Sequence, residues 1–531
     1  MKHLVFHIIP TVLLLLNAHP SNGQSSVNLL EDINEKLQLS INEQNHPKRE
    51  LRAAWVTTFT NLDWPSKRGL SSAVQQQEFR TLVDNFKRAQ MNAVIVQVRA
   101  SSDAFYKSKL SPWSEWLTGV QGAPPIPYYD PLEFMLKTCK DNNLEFHAWF
   151  NPLRAISHDR FSSVCKDHIT DKKPDWFFHY GESYYYNPGI PAVRQYIVDV
   201  ILEVVKNYDI DGVHLDDYFY PYTIGKAKIP DEATFKKYNR GIQNIQDWRR
   251  SNINLLIQDI AKAIKKEKAY VKFGISPLAI WRNKKQDPLG SESNSGQTSY
   301  DNLYCDTKLW VKEGWMDYVA PQLYWSTTNL YANYNNLLKW WNLQTQEKVH
   351  LYIGHGLYKL DPKNRHSFSV DELTKQVKLH RSNSKAQGSI YFRAKTFKEN
   401  QQNFQRKFRT GIYQYPAVVP TMPWIDSIPP AAPYNLDLTP AFGAVQLNWR
   451  FLKSKNELDK IKYFAIYRFD GVVDVNQNQL TATQLISIST SPSYTDFSIN
   501  KGSTYTYVVT SFDRLHNESK KFISGKITVK K

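Results

Sequence analysis

The sequence is poor in cysteine and, after its first residues, contains no long apolar run. Its 531 residues include three Cys, which are too few for a disulfide framework and are not spaced as a zinc site requires. Whether two of them pair is left open. The motifs GxGxxG, HExxH and GxSxG are also absent, which disfavours dinucleotide binding, zinc peptidase chemistry and an α/β-hydrolase serine site.

Basic residues outnumber acidic ones, with 67 Lys and Arg against 50 Asp and Glu and a formal net charge of +17. This balance favours an acidic or polyanionic partner without naming one. No helix-turn-helix, zinc-finger or RNA-binding signature accompanies the charge, so we expect no nucleic-acid partner. A polyanionic polymer of the cell surface fits the charge equally well.

Residues 1–23 are predicted to form a secretory signal peptide. Lys2 supplies the positive start, Leu4–Leu16 form the apolar core, and small residues precede the expected cleavage point. The apolar core is shorter than the ~20 residues that span a bilayer, and no later segment is long enough, so no membrane span is expected. We therefore expect an exported protein in the periplasm, at the cell surface or outside the cell, in which residues 24–48 form a polar lead-in.

Eight short apolar runs alternate with amphipathic stretches between residues 49 and 414. Each run is rich in β-branched and aromatic residues, as are strands buried on both faces of a parallel sheet. Eight such alternations in about 360 residues predict a (β/α)8 TIM barrel with enlarged loops. An open doubly wound sheet is the alternative, which the missing GxGxxG motif disfavours. The predicted strands are Leu51–Phe59, Ala93–Ala100, Glu145–Asn151, Gly212–Phe219, Val271–Pro277, Tyr318–Trp325, His350–Gly356 and Ser389–Ala394.

The pattern changes after the barrel. Residues 415–432 are rich in proline and predict a stiff linker. Residues 433–531 contain six short alternating strands, which predict an all-β sandwich of about 100 residues. The segments PAAPYNLDL, VQLNW and YTYVVTSFD resemble a fibronectin type III module, in which Trp449 takes the place of a core aromatic residue. The resemblance implies a spacer or docking unit without a catalytic role.

The fourth predicted strand ends in two neighbouring carboxylates, Asp216 and Asp217. Alternation along the strand turns His214 and Asp216 into the barrel and Val213 and Leu215 towards the helices. Adjacent carboxylates raise each other's pKa, which is tolerable where one must stay protonated as a general acid. The alternative is that Asp217 caps the next segment while Asp216 pairs with an Arg. Because active sites of this fold lie at the C-terminal strand ends, we interpret the pair as catalytic.

The other strand ends carry aromatic rings beside amides and charged groups. This mixture suits a saccharide, because its C–H faces stack on rings while its hydroxyls bond to polar groups. A single Trp is more often a core residue than a platform, so the set is more informative than its members. No metal or cofactor is expected, since the His residues are dispersed. The predicted substrate-binding residues are Trp55, Arg99, Asp103, Asn151, His214, Tyr218, Gln322, Tyr324, Trp325, His355 and Arg393.

Between Arg49 and Tyr413 the chain resembles the glycosyl-hydrolase-like family ten of bacterial secreted proteins, on the segments LRAAWVTTFTNLDWP, NAVIVQVRASSDAFYKS, YDPLEFMLKTCKDNNLEFHAWFNPLR and IDGVHLDDYFYPY, which occur in that order. The resemblance implies a (β/α)8 glycosidase of the bacterial envelope, with the glycan strands of peptidoglycan as its polysaccharide partner. It does not assign the catalytic residues, which are argued from their chemistry.

Chitinase-type enzymes carry the motif DGxDxDxE on strand four, in which the last Asp orients the acetamido group of the substrate and Glu is the acid. In this comparison Asp216 matches the orienting Asp, whereas Tyr218 replaces the acid. The favoured hypothesis is therefore retaining, substrate-assisted hydrolysis of an N-acetylhexosamine linkage with Asp217 as the acid. The alternative is direct displacement, with Asp63 or Asp103 as the second carboxylate ~5–5.5 Å or ~6.5–9.5 Å from the acid.

Two further functions remain open at this point. Barrel folds also host proteins without catalysis, so the chain is alternatively a binding protein for an envelope glycan. It is otherwise a glycosidase for a nutritional polysaccharide.

Overall fold

The structure, a computed structural model, describes residues 45–157, 164–382 and 385–530. The predicted signal peptide and nearly all of the predicted lead-in lie outside these ranges. Within the ranges, no helix combines the length and the apolar character needed to cross a membrane.

Eight parallel strands close into a barrel. They are β1 (Leu51–Val56), β2 (Ala93–Arg99), β3 (Glu145–Phe150), β4 (Gly212–Leu215), β5 (Lys272–Ile275), β6 (Tyr318–Val319), β7 (His350–Gly356) and β8 (Ala386–Phe392). Their order is β1-β8-β7-β6-β5-β4-β3-β2, so each strand pairs with its neighbours in sequence. Each strand overlaps one of the eight predicted runs, and the predicted (β/α)8 TIM barrel is confirmed.

Helices connect the strands around the barrel. In two of them an Asn side chain caps the first turn. Asn244 accepts from two backbone N–H groups at the start of the helix that begins at Ile245. Asn333 accepts from one such group before the helix that begins at Tyr334. The helices are Ser72–Arg88, Glu115–Thr118, Pro131–Asp141, Ile169–Lys172, Pro191–Asn207, Glu232–Tyr238, Ile245–Glu267, Thr307–Lys312, Tyr334–Gln344, Val370–Ser382, Ala394–Glu399 and Phe404–Arg409.

A small antiparallel sheet is inserted between β3 and β4, on the side of the barrel where the strands end. Its three strands are Arg154–Ile156, Phe177–Tyr180 and Ser183–Tyr186. The sequence pattern does not predict this sheet, because its strands are only three or four residues long.

Two antiparallel sheets follow the barrel. Their strands are β9 (Tyr434–Ala441), β10 (Ala444–Arg450), β11 (Tyr463–Asp470), β12 (Leu485–Ser489), β13 (Ser493–Asp496), β14 (Thr504–Phe512) and β15 (Ile523–Thr528). One sheet has the order β9-β10-β13 and the other β12-β11-β14-β15. The all-β prediction for this region is confirmed, and β13 is the strand that the sequence pattern missed. Trp449 packs edge-on against Phe464 in the core between the sheets.

Large polar rings occupy the barrel interior, and two glycines make room for them. A Cβ atom on Gly274 would lie 1.9 Å from the Tyr318 ring, and one on Gly212 would lie 2.8 Å from the ring of His147. Any larger residue at either position would displace these rings. The strand sequences therefore place His and Tyr, rather than only aliphatic residues, beneath the C-terminal strand ends.

The three cysteines are free thiols, two of them buried. The pairing that the sequence left open therefore does not form in this structure.

Candidate active site

Asp216 and Asp217 directly follow β4, at the C-terminal end of the barrel. The ring of His214 lies among the interior rings, whereas Val213 and Leu215 belong to the core between strands and helices. The predicted alternation along this strand is confirmed. Only 4% of Asp216 and 6% of Asp217 is exposed, so both carboxyls are largely withdrawn from water.

Asp216 accepts three hydrogen bonds, all from N–H groups. Its Oδ2 accepts from the Trp149 indole and the Asn151 amide, each at 3.0 Å, and its Oδ1 accepts from the backbone of Tyr218 at 3.1 Å. The Asn151 amide is oriented because its oxygen accepts from the backbone N–H of Arg154. None of the three donors can accept a proton, so this is the bonding pattern of an ionised carboxylate.

Asp217 has partners of a different kind. Its Oδ1 accepts from Nε2 of Gln322 at 2.9 Å, and its Oδ2 meets the hydroxyl of Tyr222. A phenol hydroxyl either donates or accepts, so Oδ2 can carry a proton and donate it to Tyr222. The donors around the two carboxyls therefore favour a proton on Asp217 and a charge on Asp216.

Burial and mutual repulsion raise the pKa of both carboxyls. Burial, and then the charge of Asp217, raise the pKa of Asp216 to about 7. Burial also raises the pKa of Asp217, against the hydrogen bonds from Tyr222 and Gln322. A charge on either carboxyl disfavours a charge on the other, so the hydrogen-bond partners decide which of the two carries a proton when the pair holds one.

A cation and several rings form one wall beside the pair. The guanidinium of Arg154 lies 4.5 Å from the ring centre of Phe59 and 4.6 Å from that of Tyr218. Tyr218 is 36% exposed and meets Tyr222 edge-on, with 5.6 Å between ring centres. This wall offers both an exposed ring face and a positive charge to a bound molecule.

A second wall carries more of the predicted binding residues. Tyr324 stacks on Phe392 with 6.0 Å between ring centres, and Tyr324, Trp325 and Arg393 are all partly exposed. The side chains of Asn151 and Gln322, and the backbone of Tyr218, touch the carboxyl pair directly. The structure thus brings four of the eleven predicted binding residues to the acid pair, namely Asn151, Tyr218, Gln322 and Tyr324. Trp325 and Arg393 directly follow Tyr324 and Phe392 in the chain.

The other five predicted binding residues are enclosed, and we correct their assignment. Trp55 donates its indole N–H to His214 within the barrel, at 3.2 Å. Arg99 bonds a tyrosine hydroxyl, and His355 lies on the helix side of β7, where Gln376 and Ser389 bond its ring. Nearly all of their surface is buried and, unlike the equally buried Asn151, they bond other side chains of the described structure and not the acid pair. These residues are Trp55, Arg99, Asp103, His214 and His355.

The two carboxylates considered for direct displacement, Asp63 and Asp103, accept hydrogen bonds from neighbouring segments of the chain. Asp63 accepts from the backbone N–H groups of Thr57 at 2.8 Å and Lys395 at 2.9 Å, and burial raises its pKa to about 6. Burial likewise raises the pKa of Asp103 to about 6, and its Oδ2 accepts from Gln121 at 3.3 Å. The hydrogen bonds that hold Asp63 and Asp103 therefore lead to neighbouring segments of the chain and not to the Asp pair.

Trp149, Tyr222 and Phe392 lie at the site and are not among the residues predicted from the sequence. Alternation on β3 would have found Trp149, because it lies two residues before Asn151 and shares its face. Tyr222 lies in an irregular loop, where no periodicity indicates a direction. In the described ranges, no group of three or more His, Cys, Asp or Glu side chains is arranged to hold a metal ion.

Comparison with known proteins shows extensive similarity along the chain. It is 44% identical over 476 residues to Glycosyl hydrolase YngK of Bacillus subtilis (strain 168), covering 89% of this chain and 92% of that protein. It is 36% identical over 366 residues to Glycosyl hydrolase DigH of Escherichia coli (strain K12), covering 65% and 82%. Among solved structures, the glycoside hydrolase domain of PgaB (BpsB) from Bordetella bronchiseptica is similar at 12% identity with a TM-score of 0.44, covering 68% of this chain and 99% of that one.

A family model described as Glycosyl hydrolase-like 10 matches residues 50–369, which is more than half of the chain. This match includes all of β1 to β7 and the acid pair after β4. Together with a relative that is 44% identical over 89% of the chain, it shows that the protein belongs to the Glycosyl hydrolase-like 10 family.

Proposed function

We propose that this glycosidase cleaves N-acetylhexosamine linkages in a bacterial envelope glycan, the glycan strands of peptidoglycan. Asp217 is the general acid, and Asp216 is the carboxylate that orients the acetamido group. The observation that carries the proposal is the different bonding of the two carboxyls. Asp216 faces three N–H donors, whereas Asp217 faces a hydroxyl that can accept its proton.

Each carboxyl then has one task in the reaction. Asp217 gives its proton to the glycosidic oxygen as the bond to C1 breaks, and the acetamido oxygen of the same sugar bonds to C1. Asp216 accepts a hydrogen bond from the acetamido N–H and stabilises the positive charge of the cyclic intermediate. Water then attacks C1 and gives a proton to Asp217, which restores both carboxyls. Two displacements at C1 retain its configuration.

The walls of the site suit an anionic glycan. Tyr218, Tyr324 and Trp325 present partly exposed rings on which the C–H faces of sugars stack. Arg154 adds a positive charge beside the acid pair, and the chain as a whole carries a net charge of +17. These features support a polyanionic substrate over a neutral one.

Location and the C-terminal region belong to the same proposal. The signal-like pattern of residues 1–23 supports export, to the envelope where such a glycan lies. We assign the sheets formed by residues 433–531 the role of a fibronectin type III-like spacer or docking unit, joined to the barrel by the proline-rich residues 415–432.

The direct test measures reducing ends released from purified glycan strands and from a panel of plant and host polysaccharides. We expect the wild-type chain to cleave the glycan strands, and Asp216→Asn and Asp217→Asn to lose at least about 100-fold in kcat. Asp199→Asn, on an exposed helix face, is the matched control and keeps the wild-type rate. Wild-type rates in both site variants would refute the assignment.

The same assays separate the alternatives. Tight binding of glycan strands with no reducing ends would show a binding protein, and cleavage only of plant or host polysaccharides would show a nutritional enzyme. Glycan strands from which the N-acetyl groups have been removed test the acetamido role. Equal cleavage of these strands would exclude the substrate-assisted reaction.

A further inference from the structure

A row of hydrogen-bonded side chains runs through the barrel interior towards the acid pair. We name it the axial chain, and its members in order are Glu145, His147, Tyr318 and His214, all of them buried. Glu145 Oε2 lies 3.4 Å from Nε2 of His147. The Tyr318 hydroxyl lies 2.8 Å from Nδ1 of His147 and 2.9 Å from Nδ1 of His214.

The first end of the axial chain is a carboxylate that can only accept hydrogen bonds. Burial opposes a charge on Glu145, but Lys272 and Lys462 outweigh burial and hold its pKa well below the ordinary value. Nζ of Lys272 and Nε2 of His516 each lie 2.6 Å from its Oε1. His147 must therefore carry its hydrogen on Nε2, the nitrogen that faces this carboxylate.

The other end is fixed by an indole that can only donate. The Trp55 N–H donates to Nε2 of His214 at 3.2 Å, so this nitrogen carries no hydrogen. Burial lowers the pKa of His214 well below its ordinary value, which keeps the ring neutral. The hydrogen of His214 therefore lies on Nδ1 and is donated to Tyr318.

The two ends of the axial chain require the same direction of hydrogen bonding at Tyr318. Tyr318 accepts from His214, so its one hydroxyl proton is left for the bare Nδ1 of His147. The carboxylate at one end and the indole at the other thus lead independently to a single arrangement, in which the two histidines hold opposite tautomers.

The axial chain also reaches the proposed general acid. Nε2 of His214 lies 2.9 Å from the Ser276 hydroxyl. The backbone carbonyl of Ser276 accepts one hydrogen of the Gln322 amide at 3.0 Å, and the other hydrogen is donated to Asp217. The hydrogen bond to Ser276 therefore links the His214 ring to the segment that holds this amide.

We propose that the axial chain is a positioning device, in which Tyr318 locks the His214 ring so that the Gln322 amide stays on Asp217. Its members touch no substrate and act on the acid through Ser276 and Gln322. This inference rests on the proposed function for its effect on rate, whereas its fixed tautomers do not depend on hydrolysis.

The tautomers are tested by nitrogen NMR on the full chain with ¹⁵N-labelled histidine. We expect His147 to be protonated at Nε2 and His214 at Nδ1 near neutral pH. Tyr318→Phe keeps the ring but removes the hydroxyl, and should shift the ring signals of these two histidines together. The same tautomer in both rings, or a doubly protonated ring in either, would overturn the inference.

The effect on rate is tested with Tyr318→Phe. The control is Tyr352→Phe, in which the lost hydroxyl lies outside the axial chain. Tyr352 is equally buried and packs against Tyr318 with 5.3 Å between ring centres, but its hydroxyl bonds His350. Tyr318→Phe removes both hydrogen bonds of the Tyr318 hydroxyl, and we expect it to lower kcat about tenfold with KM within about twofold. We expect Tyr352→Phe to leave both unchanged.

Each outcome has a distinct meaning. An equal fall in kcat for both variants would show a merely structural role and overturn the inference. A wild-type chain that released no reducing ends would refute the proposed function, and the tautomers alone would then decide whether the axial chain exists.

Discussion

Tyr222 sets the pH at which the proposed acid loses its proton. Its hydroxyl donates to Asp217 when that carboxyl is ionised, which lowers the pKa of Asp217 against the effect of burial. A hydrogen bond to a charged group is worth about 1.5–3 kcal/mol, and one pKa unit corresponds to about 1.4 kcal/mol. Part of this bond survives protonation, because Asp217 can then donate to Tyr222. We therefore expect Tyr222→Phe to raise the pKa of Asp217 by about one unit.

The assay is the pH dependence of kcat/KM on glycan strands. A general acid works in its protonated form, so activity falls as the pH rises through its pKa. Tyr222→Phe should therefore move the alkaline limb of the profile upwards by about one pH unit. Tyr185→Phe, on the nearby small sheet, should leave the limb in place. An unmoved limb in Tyr222→Phe, or one moved to lower pH, would refute the assignment of Asp217 as the acid.

Three predictions concern stability. Burial raises the pKa of Asp217 in the folded chain, so the folded state loses stability as the pH rises above the unfolded pKa. Asp217→Asn should therefore be more stable than the wild type in urea unfolding at pH 8, with no gain at pH 4. Glu145→Gln leaves Lys272 as a buried, uncompensated charge and should cost about 3–5 kcal/mol in the same assay, where a loss below 1 kcal/mol would contradict this account. Gly274→Ala should lower the melting temperature or prevent folding, because its Cβ would overlap a tyrosine ring, whereas Gly296→Ala, with open space around it, should melt like the wild type.

The barrel could be predicted because its strands are short and buried on both faces. A continuous run such as Ala93–Arg99 carries its own signal, and eight of them leave few alternative folds. The small sheet between β3 and β4 could not be predicted, because a strand such as Arg154–Ile156 is too short to show a periodic pattern. Helix ends depended on single capping side chains such as Asn244, which the apolar pattern does not contain.

The sequence predicts only the part of the site that lies on strands, where alternation gives the direction of each side chain. Alternation placed Asp216 in the barrel interior, and the end of β4 placed it at the site. Alternation does not show, however, how deep in the barrel a side chain lies. It therefore predicts Trp55 and His214 as substrate-binding residues, although both are buried beneath the acid pair. Residues in loops, such as Tyr222, had no pattern that could reveal their direction.

Hydrogen bonding explains why buried polar residues are tolerated inside this barrel. A buried His or Tyr lowers the stability of the folded state unless its polar groups are hydrogen-bonded. In the axial chain every donor has an acceptor, from Trp55 through His214 to the carboxylate of Glu145. That carboxylate is held charged in part by Lys462, which lies beyond the barrel in the C-terminal region. The C-terminal region therefore contributes to the charge balance of the barrel interior.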